Sequence, residues 1–186
     1  RQIRAARKPP LLVTVDHEGG RVQRFRSGFT ELPSQRAIGR AYDLDPEAGR
    51  RLARQCGWLL AAELRAAGVD LSFTPCVDLD YGVSEVIGDR AYHRDPEVVA
   101  TLAIACVQGM RAAGMAATAK HFPGHGAVVA DSHKALPVDR RPMTALGEDL
   151  LPYRRLVDNG LTAVMVAHVL FPEVADAPAG FLRPWI

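Results

Sequence analysis

The stretch MAATAKHFPGHGAVVADSH, residues 115–133, joins an apolar run to a loop rich in polar side chains. Residues 115–119 are typical of a buried β-strand, and the glycines and proline that follow predict a loop at its end. Catalytic and binding groups are often carried on such loops. The stretch therefore predicts a strand that delivers five polar groups to a site: Lys120, His121, His125, Asp131 and His133.

The polar side chains of this loop support more than one chemical interpretation. Asp131 and His133 stand two residues apart, so the carboxylate can orient the imidazole as a general acid/base that works near neutral pH. Alternatively, His121, His125, Asp131 and His133 are ligands of zinc or a similar ion. A third interpretation gives His125 and His133 only surface or capping roles. The residues alone leave these interpretations open.

Helices are predicted on both sides of the stretch by their first and last residues. The segments 45–47 and 95–97 both read Asp-Pro-Glu, which places a capping Asp before a Pro at the first helical position. Pro142 predicts the start of a third helix. Apolar residues then recur at helical spacing: Leu52, Cys56, Leu59, Leu60 and Leu64; Leu102, Cys106 and Met110; Leu146, Leu150, Tyr153 and Val157. A glycine is expected to end each helix, at evenly spaced positions: Gly68, Gly114 and Gly160.

Short apolar runs alternate with these helices and predict four strands. They cover residues 11–15, 69–74, 115–120 and 161–167. The first run is almost uninterrupted, so that strand is expected to be buried on both faces. Alternating strands and helices predict an α/β fold with a parallel sheet. Polar residues stand at or just after the strand ends, where barrels and doubly wound sheets build their sites: Asp16, Asp78, Lys120, His121 and His168.

The loop after the first strand is expected to contribute to the same site. The Gly19-Gly20 pair allows a sharp turn, and Arg21, Arg24 and Arg26 follow at a spacing that predicts either arginines around the mouth or a turn followed by solvated arginines. A dinucleotide site is not predicted, because Val129 stands where the glycine fingerprint requires a third Gly or Ala.

Composition restricts the kind of protein. The 186 residues are 48% hydrophobic, which is enough for one domain over residues 1–186 with a substantial core. The 23 basic and 21 acidic residues are interspersed, so neither nucleic acid nor a membrane is expected as a partner. Cys56, Cys76 and Cys106 are widely spaced in apolar surroundings, which predicts free thiols in a cytoplasmic protein. No sequence feature indicates a bound cofactor.

Four segments, taken in order, are similar to one known family. They are VDHEGGRVQRF at 15–25, GDRAYH at 88–93, KHFPGHG at 120–126 followed by ADSH at 130–133, and MVAHVLFP at 165–172. In these segments the chain resembles the cytoplasmic β-N-acetylglucosaminidase branch of the family 3 glycoside hydrolases. The resemblance implies a (β/α)8 TIM-barrel type fold, of which this chain covers about the middle four β/α units. An incomplete barrel would have open sheet edges through which the chain by itself is expected to self-associate.

The resemblance also implies a reaction. Such enzymes are retaining exo-β-N-acetylglucosaminidases that remove terminal N-acetylglucosamine from 1,6-anhydro-N-acetylmuramic acid muropeptides in peptidoglycan recycling. Their acid/base dyad matches Asp131 and His133, whereas their nucleophilic Asp follows a later strand outside the given sequence. The 186-residue chain alone is therefore expected to be inactive. The family's sugar-binding residues match Asp16, Arg24, Arg90, Lys120 and His121.

Two alternatives to this reaction stay open on the sequence. A metal-dependent hydrolase would use His121, His125, Asp131 and His133 as ligands. A non-catalytic fragment would hold a small sugar without cleaving it. The expected partner is a small molecule, a muropeptide or another N-acetylglucosaminide.

Overall fold

The structure is a computed structural model that describes residues 2–129, 136–181 and 185. Its helices are α1 (Gln2–Ala5), α2 (Gln35–Leu44), α3 (Pro46–Ala66), α4 (Pro96–Ala112) and α5 (Gly147–Asp158). Its strands are β1 (Thr14–Val15), β2 (His17–Gly19), β3 (Val22–Gln23), β4 (Leu71–Ser72), β5 (Ala116–Phe122) and β6 (Ala163–Val166). Short 3-10 turns cover Gly88–Arg90, Met143–Leu146 and Ala179–Phe181. No helix in the described ranges is long and apolar enough to cross a membrane.

Strands β1, β4, β5 and β6 form a parallel sheet in that order. The register pairs Thr14 with Leu71, Leu71 with Ala116, and Thr118 with Ala163. Helices α3, α4 and α5 connect the successive strands, which is the arrangement of consecutive units in a TIM-barrel-like fold. The α/β prediction is therefore confirmed. Because the strands are parallel, the polar groups that follow them emerge at the same edge of the sheet, at its carboxyl end.

The helix boundaries follow from the capping residues that the sequence indicates. The side chain of Asp45 accepts hydrogen bonds from the backbone N–H groups of Glu47 (3.0 Å) and Ala48 (3.1 Å), and α3 begins there. Asp95 accepts in the same way from Glu97 (2.8 Å) at the start of α4. The three closing glycines all adopt positive φ, a conformation that few other residues tolerate: Gly68 (+87°), Gly114 (+78°) and Gly160 (+76°).

The largest part of the core lies where α3 and α4 pack against each other and against β5. Two glycines permit this close helix crossing. A Cβ added at Gly57 would lie 2.3 Å from the carbonyl oxygen of Cys106, and one at Gly109 would lie 2.0 Å from that of Arg54. The apolar side predicted for α4 is buried, as Met110 at 0% exposure illustrates. The backbone contact between these helices fixes the strands that they connect.

Two burial predictions were wrong. The first strand is not buried on both faces, because β1 lies at the sheet edge and Leu12 is 78% exposed. In α5 the buried apolar residues include Tyr153 and Leu156, whereas Val157 is 59% exposed. The apolar side therefore continues from Tyr153 at i+3 rather than at i+4, and both spacings fall on nearly the same side of a helix.

Candidate active site

The carboxyl ends of the parallel strands open into a cavity of about 250 Å³. The residues in its wall come from all parts of the chain: Asp16, Val22, Arg24, Val86, Arg90, Lys120, His121, His125, Met165, Val166, Ala167 and His168. All five residues predicted to bind sugar are among them. Parallel strands bring them together, since Asp16 follows β1 whereas Lys120 lies on β5, 104 positions later.

The buried ammonium group of Lys120 lies between the carboxylates of Asp16 and Glu18. These three groups and Arg90, which pairs with Glu18, are together termed the cavity floor. Lys120 Nζ is 2.7 Å from Asp16 Oδ1 and 2.5 Å from Glu18 Oε1. The side chains of Lys120 and Glu18 are each 2% exposed, whereas that of Asp16 is 42% exposed. A buried ammonium is tolerated when it is paired in this way. Asp16 is therefore the carboxylate of this group that a ligand in the cavity can reach.

Glu18 also binds Arg90, the last residue of the 3-10 turn Gly88–Arg90. Arg90 Nε donates to Glu18 Oε2 (3.0 Å) and Arg90 Nη2 donates to Glu18 Oε1 (2.8 Å). Nη1 of the same guanidinium donates to the carbonyl oxygen of Val86 (3.2 Å). This forked pairing fixes the plane of the guanidinium group.

His121 is oriented by the buried side chain of Asp78. Its Nδ1 is 2.6 Å from Asp78 Oδ2, and its Nε2 is 3.4 Å from Arg90 Nη2. A carboxylate only accepts and a guanidinium only donates, so the neutral imidazole carries its proton on Nδ1. Asp78 also accepts hydrogen bonds from the backbone N–H of His125 (2.8 Å) and from Cys76 Sγ (3.2 Å).

The charges of the floor keep its acids ionised. Burial alone would raise the pKa values of Asp16 and Glu18, but hydrogen bonds and charges from Lys120 and Arg90 hold both below their ordinary values. Burial also opposes ionisation of Asp78, yet the charge and hydrogen bond of His121 lower its pKa to about 2. The site thus combines permanent acceptors with permanent donors at neutral pH.

His125 lines the cavity without a fixed ring partner among the described residues. Its side chain is 2% exposed, and neither ring nitrogen makes a hydrogen bond. Burial lowers its pKa, so the ring is neutral near pH 7. A neutral imidazole offers one donor and one acceptor.

The predicted ring of three arginines was wrong. Arg24 is in the cavity wall, but Arg21 Nε donates to Asp89 (2.8 Å) and Arg26 donates to the carbonyl oxygen of Gly20 (3.1 Å). The cause is the β2–β3 hairpin, in which the turn after Gly19 directs Arg21 toward the 3-10 turn Gly88–Arg90. Only the arginine that follows β3 is delivered to the cavity.

Of the remaining predicted residues, one lies in the described part of the chain and two do not. His168 follows β6 in the cavity wall, and its ring packs edge-on against Phe181 at 5.7 Å. Asp131 and His133 lie outside the described residues, so their acid/base role stays a prediction.

The metal alternative finds limited support in the described part of the chain. There, Cys76, Asp78 and His121 place potential ligand atoms within 4.8 Å of one another. Burial raises the pKa of the Cys76 thiol well above its usual range, so the sulfur keeps its proton and donates to Asp78. The three groups therefore form a hydrogen-bonded set. Of the loop ligands predicted for a metal, His121 and His125 are described, with ring centroids 5.9 Å apart.

Sequence reasoning gave no role to two acids of this site, Glu18 and Asp78. A signal for Glu18 existed, since residues two apart in an extended segment face the same side, and Glu18 stands two positions after Asp16. Asp78 had been placed at a strand end, but its contact with His121 spans 43 positions and has no local signal.

Comparison with known proteins identifies the family. The glycosyl hydrolase family 3 N-terminal domain matches residues 1–186. The chain is 61% identical over 186 residues to a β-hexosaminidase of Bordetella avium, covering 99% of this chain and 53% of that protein. The crystal structure of NagZ from Neisseria gonorrhoeae in complex with N-trifluoroacetyl-D-glucosamine superposes with a TM-score of 0.95 at 50% identity, covering 100% of this chain and 55% of that one. A family 3 β-N-acetylglucosaminidase from Paenibacillus gives a TM-score of 0.88 at 40% identity, covering 95% and 33%.

The chain spans about half the length of the curated relatives that it matches. The match to the family nevertheless extends over every residue of the chain, and the parallel sheet with its carboxyl-end cavity agrees with the fold of those structures. The chain belongs to glycosyl hydrolase family 3, as a member of its N-terminal domain family.

Proposed function

We propose that the full-length protein containing this chain is a retaining exo-β-N-acetylglucosaminidase, and that the cavity binds the terminal N-acetylglucosamine. The observation that carries the proposal is the floor formed by Asp16, Lys120 and Arg90 with His121 beside it. One accessible carboxylate among fixed donors can accept from sugar hydroxyls while the cations and the imidazole bind hydroxyl or carbonyl oxygens.

The charge of the floor favours a neutral sugar. Asp16 and Glu18 together balance Lys120 and Arg90, so the four groups carry no net charge. Lys120 and Arg90 would add little to the binding of phosphorylated or carboxylated sugars, because both cations are already paired.

The chemical step is assigned to residues outside the described ranges. We propose that His133, paired with Asp131, protonates the leaving oxygen and then deprotonates water. The nucleophilic Asp would come from the part of the protein beyond this chain, in keeping with the two-step retaining mechanism. The NagZ relative bound to N-trifluoroacetyl-D-glucosamine supports an N-acylated glucosamine as the ligand.

The biological substrate and the cellular location belong to the same proposal. Removal of N-acetylglucosamine from 1,6-anhydro-N-acetylmuramic acid muropeptides would place the enzyme in peptidoglycan recycling. A cytoplasmic location agrees with three free cysteines, two of them buried.

Hydrolysis of a chromogenic β-N-acetylglucosaminide by the full-length protein tests the proposal. We expect turnover that survives chelation of metals, whereas the 186-residue chain alone shows none. His133→Ala should lower kcat by about 10²–10⁴-fold, the usual contribution of a general acid/base. His93→Ala, which removes a partly buried histidine that pairs with Asp43 and is not in the cavity wall, is the matched control and should retain activity. Loss of turnover on chelation would favour the metal-dependent alternative, and sugar binding without turnover would favour the non-catalytic one.

A further inference from the structure

Glu18 is a buried acid at the site that the proposed reaction does not use. It lies on β2, its side chain is 2% exposed, and it does not contribute to the cavity wall. A ligand in the cavity therefore meets Arg90 and Lys120 but not Glu18. Any effect of Glu18 on a ligand must act through these two cations.

Both cations bind the same oxygen of Glu18. Oε1 accepts from Arg90 Nη2 at 2.8 Å and from Lys120 Nζ at 2.5 Å, so the two nitrogens lie at most 5.3 Å apart, the sum of these distances. Two cations at this separation repel strongly when they are shielded from water. Their side chains are only 12% and 2% exposed, so solvent cannot replace the charge of Glu18.

Asp16 is the other acid paired with Lys120 in the described residues. Its Oδ1 accepts from Lys120 Nζ, whereas Oδ2 makes no hydrogen bond to a described residue. If Glu18 were neutral, Lys120 would have Asp16 as its remaining paired carboxylate, and Arg90 would lose the carboxylate with which it pairs in the described residues. The carboxylate of Asp16 would then pair more closely with the cations and would no longer be available to accept hydrogen bonds from sugar hydroxyls.

We propose that Glu18 is a positioning residue, which holds Arg90 and Lys120 in place and neutralises them so that Asp16 stays available to a neutral sugar. This inference rests on the proposed function for the identity of the ligand. The electrostatic consequence is independent of the proposed function. When Glu18 is neutralised, the cavity floor carries an uncompensated positive charge and attracts small anions.

The test compares Glu18→Gln with the unmodified full-length protein in two binding measurements at pH 7. We expect inorganic phosphate to bind Glu18→Gln at least tenfold more tightly than it binds the unmodified protein, and N-acetylglucosamine to bind at least tenfold more weakly. Glu97→Gln, which alters an exposed pair with Arg155, is the matched control and should change neither affinity. A sugar deficit without a gain of phosphate binding would show a merely structural role and overturn the inference.

The phosphate measurement separates this inference from the proposed function. A protein that binds no N-acetylglucosamine refutes the proposed function, and the phosphate result still decides the role of Glu18. If Glu18→Gln does not fold, the charge-balanced double variant Glu18→Gln/Lys120→Met decides, because it removes one charge of each sign. We expect this double variant to fold and to show a cooperative urea transition. A double variant that also fails to fold would contradict the inference.

Discussion

Replacement of Asp78 by Asn should destabilise the protein strongly although the side-chain volume is unchanged. Asp78 is fully buried, and its two oxygens receive different donors. Oδ1 accepts from the backbone N–H groups of His125 (2.8 Å) and His121 (3.4 Å), while Oδ2 accepts from His121 Nδ1 (2.6 Å) and Cys76 Sγ (3.2 Å). An Asn with its oxygen at the Oδ1 position keeps the backbone contacts and places an NH2 group against two donors.

The size of the effect follows from these contacts. Loss of a charge-assisted hydrogen bond costs about 1.5–3 kcal/mol, and a buried donor left without a partner costs about 1–3 kcal/mol more. A shift of the His121 proton to Nε2 does not help, because that nitrogen then faces the donor Arg90 Nη2 at 3.4 Å. We therefore expect Asp78→Asn to lower the free energy of unfolding by about 3–5 kcal/mol.

Urea unfolding of the full-length protein, followed by circular dichroism, measures this difference. Asp89→Asn is the matched control, since Asp89 forms an exposed pair with Arg21 in which the two side chains are 47% and 48% exposed. That pair should contribute less than about 1 kcal/mol. A loss below about 1 kcal/mol for Asp78→Asn would refute the reasoning, because the Asp78 charge would then not organise His121.

Three further predictions concern the core and the titrating groups. Gly109→Ala should lower the free energy of unfolding by about 3 kcal/mol or more, since its Cβ would lie 2.0 Å from the carbonyl oxygen of Arg54. Gly147→Ala is the control, because a Cβ there meets nothing within 4 Å. Equal unfolding midpoints for the two variants would contradict a close helix crossing. The pKa of Asp78 falls from 3.8 to about 2 on folding, so its stabilising contribution is present above about pH 4 and is lost as the pH falls toward 2. Urea midpoints between those pH values should therefore fall more steeply for the unmodified protein than for Asp78→Asn, and parallel pH profiles would count against this. Burial raises the pKa of the Cys56 thiol to about 11. Its alkylation by iodoacetamide at neutral pH should therefore be at least about tenfold slower than that of a free thiol. A rate equal to that of glutathione would contradict the prediction.

The helices were predictable because their signals are local. Asp45 and Asp95 cap the helices that they were expected to start, and the closing glycines adopt the positive φ angles that make Gly necessary there. The two burial predictions were wrong because local spacing does not decide which residues the rest of the fold covers. The exposure of Leu12 depends on the position of β1 in the sheet, and in α5 the apolar side continues from Tyr153 to Leu156 rather than to Val157, although both spacings fit a helix.

The residues of the site were predictable from the sequence, but the ion pairs and hydrogen bonds between them were not. Strand ends at one edge of a parallel sheet were expected to converge, and Asp16, Lys120 and His121 do so. Which acid pairs with which cation depends on contacts across many positions, such as the 72 that separate Glu18 from Arg90. Sequence spacing therefore indicated where the site lies, and the structure supplied its charge balance.

The central claim is that the cavity above Asp16, Lys120 and Arg90 is the binding site of a terminal N-acetylglucosamine. The most direct test is a crystal structure of the full-length protein soaked with N-acetylglucosamine. The account predicts one sugar ring in this cavity, with a hydroxyl pair on Asp16 and an oxygen within hydrogen-bonding distance of Lys120 or Arg90. An empty cavity at saturating sugar, or a sugar bound elsewhere, would contradict it.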